Sequence, residues 1–287
     1  MTYGAVQKEV SWLANGATGS IKKGLYRSAI SVRQAVYDVV GKAKDLFDDR
    51  AIAPKIARLK ASAGYAAIPK QRILVAGVQT ARRPGSIDCI FATMSRSRHD
   101  LVLAVKDVGG VGKLDNINLL LVDHDLSRFD WVWMIDDDVE LPDDFTDVFV
   151  AMCTLQDYQI AGPAHRAWSY SGHDVTVRRT GLLAHRTNFV EVGPITAFHK
   201  SVFDMVLPLP GLRFGWGIDI YWSRTMEANN WRMGIVDAAA LRHTSPVAVT
   251  YDWMAARDEC EAFLADKGID PKGALQQRVF ETVAAID

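Results

Sequence analysis

The stretch Phe129-Asp-Trp-Val-Trp-Met-Ile-Asp-Asp-Asp-Val-Glu-Leu-Pro142 runs a strongly apolar segment straight into three carboxylates, Asp136, Asp137 and Asp138. So much negative charge at the end of a buried strand is costly unless something cationic compensates it. Residues i and i+2 of an extended segment point the same way, so Asp136 and Asp138 can converge while Asp137 points elsewhere. All-oxygen ligation favours Mg2+ or Mn2+, and such ions usually also bind substrate phosphates. The competing role for the triplet is an acidic turn capping a helix that starts near Pro142, but Asp143 and Asp144 are better placed for that. A phosphatase-type Asp nucleophile would want a small hydroxyl residue shortly after the second Asp, and Val139-Glu-Leu follows instead.

Other residues add to this chemistry. Asp219 sits among Trp216, Tyr221 and Trp222; an aromatic surround raises a carboxylate's pKa and lets it accept a proton from a hydroxyl. The same residue is also a reasonable N-cap for a helix running through Met226. Trp216 offers a stacking surface for a sugar, or a core tryptophan. Arg82 and Arg83 suit bidentate phosphate contacts, or are solvated loop charges. Asp107 can contact a nucleoside, or turn the chain before Gly109-Gly110. The segment 161–192 mixes His165, Trp168, Tyr170 and His173 with Arg178, Arg179 and Arg186, and reads as the acceptor side of a site for a sugar polymer, an anionic glycolipid or a nucleobase with flanking phosphates, or as a plain surface loop. The histidines show no zinc spacing, Gly109-Gly-Val-Gly-Lys-Leu is not a P-loop, and no nucleophile elbow is present.

The elements that must position these residues alternate. Arg72–Gly77 reads as a buried first strand, 87–98 as helix, Asp100–Lys106 as a second strand, 113–124 as helix, and Trp131–Ile135 as a third strand. Such alternation implies a mostly parallel α/β sheet flanked by helices, with ligands beyond the carboxyl ends of the strands. Val202–Val206, after a glycine-proline turn, and Arg232–Val236 read as further strands. Helix is expected over 251–267 with Gly268 as its C′ residue, and Pro271 is placed to open a last helix. Before residue 70, Leu25, Ala29, Val32, Val36, Val39, Ala43 and Leu46 follow a 4-3-4-3 spacing that forms one helical stripe. Lys22, Lys23, Arg27, Arg33, Lys42 and Lys44 lie off the stripe, and Pro54 is placed to open a second helix. This helix packs on the main domain, pairs with a second copy as a homodimer, or lies on a membrane or nucleic acid.

The 287 residues carry a net charge of −1, but residues 1–70 hold 12 Lys and Arg against 5 Asp and Glu. A basic arm thus precedes an acidic body. Apolar residues at 49% exclude a chain disordered throughout. Three scattered cysteines fit a reducing compartment, so the protein reads as cytoplasmic, with no transmembrane segment and with the basic arm as a peripheral attachment. The expected organisation is a basic helical extension over 1–69, a catalytic domain over 70–250, and C-terminal helices over 251–287 packed on it.

In order, four segments resemble metal-dependent glycosyltransferases of the GT-A fold, family-2-like enzymes in particular. Asp136-Asp137-Asp138 looks like the DxD element. Gly110-Val-Gly-Lys-Leu-Asp-Asn-Ile-Asn118 resembles the glycine–lysine–asparagine segment that precedes it. Phe214-Gly-Trp-Gly-Ile-Asp-Ile-Tyr-Trp222 resembles the Gly-Trp-Gly/acidic segment that supplies the catalytic base, and Arg242-His-Thr-Ser-Pro246 resembles the distal segment whose histidine completes metal binding. The resemblance spans residues 70–250. It implies Mn2+ or Mg2+ on Asp136, Asp138 and His243, and a nucleotide-sugar donor (a UDP- or GDP-sugar) held by Thr80, Arg82, Arg83, Asp107, Lys113, Asp136, Asp137 and Trp216. Asp219 would be the base of an inverting transfer. The implied acceptor is a surface glycan or glycolipid, or a hydroxymethylated DNA base as in bacteriophage DNA modification. The alternative is a non-catalytic module that binds sugar-nucleotide or metal and uses its basic arm on nucleic acid or membrane.

Overall fold

The computed structural model describes residues 20–81, 83–246, 252–271 and 275–286, with side chains from Val36 onward. Arg82 lies outside the described residues, as do the side chains of Lys22, Lys23, Arg27 and Arg33 and those of the stripe positions Leu25, Ala29 and Val32.

Helix α1 (Ser20–Ala61) and the short α2 (Ala63–Ala67) lead into strand β1 (Arg72–Gln79). There follow α3 (Ser86–Met94), β2 (Asp100–Asp107), α4 (Lys113–Val122) and β3 (Trp131–Asp136), so the alternation expected from sequence is present. The chain continues through β4 (Val139–Glu140), α5 (Phe145–Leu155), β5 (Ile160–His165), β6 (Ala184–Thr187), β7 (Ile195–His199) and α6 (Phe203–Val206). Helix α7 (Ile218–Ala228), β8 (Met233–His243), α8 (Trp253–Asp266) and β9 (Val279–Val283) complete it.

The main sheet runs β2-β1-β3-β7-β5-β8-β6-β9, with β4 pairing β8 off this path. Along this path only β7 and β6 run against the other strands, as does the short β4 beside β8, so most strands are parallel. Its central strands bury both faces, which explains why β1 and β3 are continuous apolar runs rather than alternating ones. One face packs α1, α3 and α5 around Trp133, whose ring meets Phe149 edge-on at 5.2 Å. The other packs α4, α7 and α8, with Trp222 edge-on to Phe198 at 5.1 Å.

Four expectations need correction. Val202–Val206 is not a strand: the strand after the glycine-proline turn is β7, and residues 200–206 turn helically. Among the described residues no helix follows Pro271; Val279–Val283 adds an edge strand beside β6 instead, its backbone groups satisfied by the ladder. Pro54 lies inside α1 and opens no second helix; it forgoes one helical hydrogen bond while Ile52 and Leu59, on either side, are anchored in the core. Finally, residues 36–49 of α1 dock with their polar side inward, and only farther on, at Ile52 and Leu59, does an apolar side turn to the core. Val36, Val39, Ala43 and Leu46 are exposed, whereas Gly41, Asp45 and Asp48 are buried against the body. Among the described residues no helix is long and apolar enough to cross a membrane.

Candidate functional site

Strand β3 is central and parallel to β1, so its carboxyl end opens beside the loop after β1, and the triplet divides there as its alternation requires. Asp137 turns to the β1 loop: its Oδ2 accepts the Thr80 N–H at 2.6 Å and the Thr80 hydroxyl at 2.9 Å. Thr80 and Asp137 therefore hold each other. Asp136 and Asp138 turn the other way and meet His243 from the end of β8, and one ligating atom from each of the three falls within 4.8 Å of the others.

His243 is fixed from several sides. Its Nε2 stands 3.1 Å from Asp138 Oδ1 and its Nδ1 3.3 Å from the Tyr170 carbonyl. Its backbone N–H donates to Ser169 Oγ at 2.8 Å. A carbonyl behind Nδ1 keeps the proton there and leaves the Nε2 lone pair for a cation, the arrangement that metal-binding histidines generally need. The neighbouring Thr244 donates from its N–H and its hydroxyl to the Asp138 carbonyl, at 2.9 and 3.0 Å. Arg83 reaches across from the β1 loop to the hydroxyls of Thr244 (3.2 Å) and Ser245 (2.8 Å), so the two loops close on each other.

The charges are strongly coupled. Burial pushes the Asp136 carboxyl upward, against the pull of Lys113, whose Nζ sits 2.5 Å from Asp136 Oδ1. Burial also opposes ionisation of Asp138, but the hydrogen bond and charge of His243 hold it below the ordinary carboxylate range. For His243, burial favours the neutral ring and Asp138 more than offsets it, so its pKa lies above the ordinary value. Two carboxylates and one imidazole make a donor set suited to a divalent ion, and the shared proton of the His243–Asp138 pair is what such an ion would replace. Gly193 shapes this wall: a Cβ there would stand 2.9 Å from Asp136 Oδ2 and 3.0 Å from Lys113 Nζ, at a φ of +132°. Only glycine lets the chain pass so close.

Asp219 lies in the first turn of α7. Gly217, with a φ of +87°, is the N-cap, so the capping role considered for Asp219 falls to its neighbour. The Asp219 carboxylate accepts the Ile220 N–H at 2.8 Å and is 8% exposed. Burial, then the nearby Glu191 carboxylate, push its pKa from 3.8 up to about 7. The aromatic surround expected from sequence is arranged differently, since Trp222 packs on Phe198 and Tyr221 on Phe263. Trp216 is half-buried in the turn before Gly217. Asp107 ends β2, exposed, accepting from Gln79 at 2.9 Å.

Glu191 was invisible to sequence reasoning. A single glutamate between Val190 and Val192 belongs to no spacing pattern; only the fold brings it near His165 (3.4 Å) and into the electrostatic field of Asp219 and His243. His165 holds it below the ordinary range in spite of burial, which ranks first among the influences on it and acts the other way. The arginines of the 161–192 segment are mostly spoken for: Arg166 and Arg178 both bind Asp49, and Arg186 binds Glu281. These three are cross-links within the protein, not a free basic surface.

No protein-family model matches the sequence, and no curated protein matches it either. Among solved structures, A197 from STIV overlays with a TM-score of 0.41 at 12% identity, covering 61% of this chain and 86% of that one. Residues 1–349 of S. aureus TarS overlay with a TM-score of 0.41 at 10% identity, covering 67% of this chain and 70% of that one. The catalytic domain of Drosophila β1,4-galactosyltransferase 7, in complex with xylobiose, overlays with a TM-score of 0.40 at 12% identity, covering 71% and 77%. Overlaps this partial carry no argument about activity, which rests on the side chains described above.

Proposed function

We propose that this chain is a metal-dependent glycosyltransferase of the GT-A type, moving a sugar from a nucleoside diphosphate to an acceptor hydroxyl with inversion. The observation that carries the reading is the convergence of Asp136, Asp138 and His243 at the carboxyl ends of β3 and β8, together with a buried Asp219, its pKa raised to about 7, that shares Glu191 with His243 as an electrostatic neighbour. These three side chains would hold Mn2+ or Mg2+. The imidazole favours Mn2+, because Mg2+ prefers oxygen ligands alone. When bound, the ion supplies the Lewis acidity that neutralises charge developing on the leaving diphosphate.

The protein's own groups do the rest. Lys113 balances Asp136, so the site does not accumulate uncompensated carboxylate. Thr80, Asp137 and Asp107 form the wall at the ends of β1, β2 and β3 where the nucleoside would lie, with Arg83 on its phosphate side. Arg82 belongs to the same loop and is proposed for phosphate on that ground alone. Trp216 would flank the sugar. Asp219 takes the acceptor's hydroxyl proton as that oxygen bonds to the anomeric carbon and the bond from that carbon to the diphosphate oxygen breaks; the diphosphate leaves with the electron pair. A base near pKa 7 is about half ionised at neutral pH and basic enough to accept the proton.

The acceptor is a neutral glycan or glycolipid hydroxyl in this reading. The ion-paired arginines around 161–192 remove the main reason to expect a polyanion there. The test is release of nucleoside diphosphate from UDP- and GDP-hexoses with Mn2+. Asp219→Asn should lower transfer by about 10²–10⁴-fold, the usual worth of a general base, while donor affinity stays. Unchanged transfer removes Asp219 from the role. Duplex or single-stranded DNA should not bind at low salt, and steeply salt-dependent binding would favour the DNA acceptor instead.

A further inference from the structure

The acidic side of α1 is built into the body at one particular place. The Asp45 carboxylate, 4% exposed, accepts the backbone N–H of Ala167 at 2.7 Å and of Trp168 at 2.9 Å. Asp49 bridges Arg166 and Arg178 at 2.5 and 2.6 Å, and Asp48 accepts from Thr180 at 2.7 Å. Gly41 gives the backbone room, since a Cβ there would lie 3.1 Å from Trp168 Cα. Lys42 and Arg242 stand over the Trp168 ring, 4.0 and 3.3 Å from its centre.

The two residues after Trp168 are those that hold His243. Ser169 Oγ accepts the His243 N–H, the Tyr170 N–H donates to the His243 carbonyl at 3.1 Å, and the Tyr170 carbonyl faces His243 Nδ1. An unbroken run of contacts therefore leads from Asp45, through residues 167–170, to the imidazole. We propose that Asp45 is a positioning residue: by pinning the 167–168 backbone it sets the register of Ser169 and Tyr170, and through them aims His243 Nε2 at the cation site between Asp136 and Asp138. The N-terminal helix is then part of the metal centre's support, outside the segments that carry the sequence resemblance. The inference rests on the reading of Asp136, Asp138 and His243 as a cation site.

Groups that orient a ligating histidine are typically worth about 10–100-fold in metal affinity. Titrating the full chain with Mn2+ alone, followed by the paramagnetic resonance signal of free Mn2+, should give at least tenfold weaker binding for Asp45→Ala. Asp45→Asn keeps one acceptor oxygen and should fall between this variant and wild type. Asp48→Ala removes an equally buried anchor of the same helix that leads to Thr180 and not to His243, and should bind Mn2+ as wild type does. Ser169→Ala, which leaves α1 docked, should weaken binding by itself and covers the case in which Asp45→Ala fails to fold. In turnover, the Mn2+ concentration for half activation should rise in Asp45→Asn while kcat at saturating Mn2+ holds. Wild-type affinity in folded Asp45→Ala and in Ser169→Ala, or equal losses in the Asp45 and Asp48 variants, overturns the positioning role. Absence of Mn2+ binding by the wild type overturns the cation site itself, and this inference with it.

Discussion

Replacing Asp219 by Asn should change how stability responds to pH as well as activity. In the folded chain the carboxyl holds its proton up to about pH 7, against an ordinary value of 3.8. The folded state therefore binds that proton more tightly than the unfolded chain does. The stabilisation is complete below the unfolded value and is lost as pH rises to the folded one. At about 1.4 kcal/mol per pH unit, the loss between pH 4 and pH 8 comes to about 4 kcal/mol. Asparagine has the shape of the protonated acid, can still accept the Ile220 N–H, and never ionises, so it escapes that loss. Urea unfolding of both proteins at half-unit intervals from pH 4 to 8 reads the effect directly: Asp219→Asn should gain on wild type by about 4 kcal/mol across the range, most of it between pH 4.5 and 7. A difference that stays flat with pH would mean that Asp219 titrates normally, and would remove the physical basis for its role as a base near neutrality.

Three further outcomes follow from the same geometry. The Glu191 charge helps to hold Asp219 up, so Glu191→Gln should move the acidic limb of kcat/KM to lower pH without abolishing turnover; an unmoved limb would leave burial as the whole cause. Gly193→Ala places a methyl group against Asp136 and Lys113 at a backbone angle alanine resists, and should cost about 1–3 kcal/mol of stability together with Mn2+ affinity; a calorimetric scan and a Mn2+ titration check both. Asp138→Ala should lose Mn2+-dependent nucleotide binding, and normal Mn2+ affinity in that variant would defeat the cation site.

The half of the fold that is local and strongly apolar was readable from the chain. Strands β1 and β3 are uninterrupted runs buried on both faces, the edge strand β2 is a continuous apolar run from Leu101 to Val105, and α4 shows its period in Leu114, Ile117 and Leu121. Strand β5 was not readable, because Ile160-Ala-Gly-Pro-Ala-His165 carries a glycine and a proline in its middle and owes its place to β7 and β8, far along the chain. Strand β6 likewise owes its place to β8, and β9 owes its place to β6. The orientation of α1 was misleading for a different reason. Its apolar stripe suggests burial, but Asp45, Asp48 and Asp49 find backbone N–H groups, a hydroxyl and two arginines on the body, and such charge-assisted bonds decide which side turns inward. At the site, the triplet was legible in the residues themselves and the Gly-Trp-Gly-x-Asp segment through the family resemblance. Thr80 on Asp137, Ser169 and Tyr170 on His243, and Glu191 beside Asp219 are products of folding alone.

The central claim is a nucleoside diphosphate site that depends on a divalent ion, and thermal unfolding tests it most directly. The chain should be melted with UDP, GDP, CDP and dTDP in turn, each with Mn2+ or with EDTA. A ligand at about 100 times its Kd adds roughly 2.7 kcal/mol, enough to raise the midpoint by about 5 °C. One nucleotide raising the midpoint only when Mn2+ is present, with no rise in Asp138→Ala, is the result expected here. No rise with any nucleotide, or the same rise in EDTA, would contradict it.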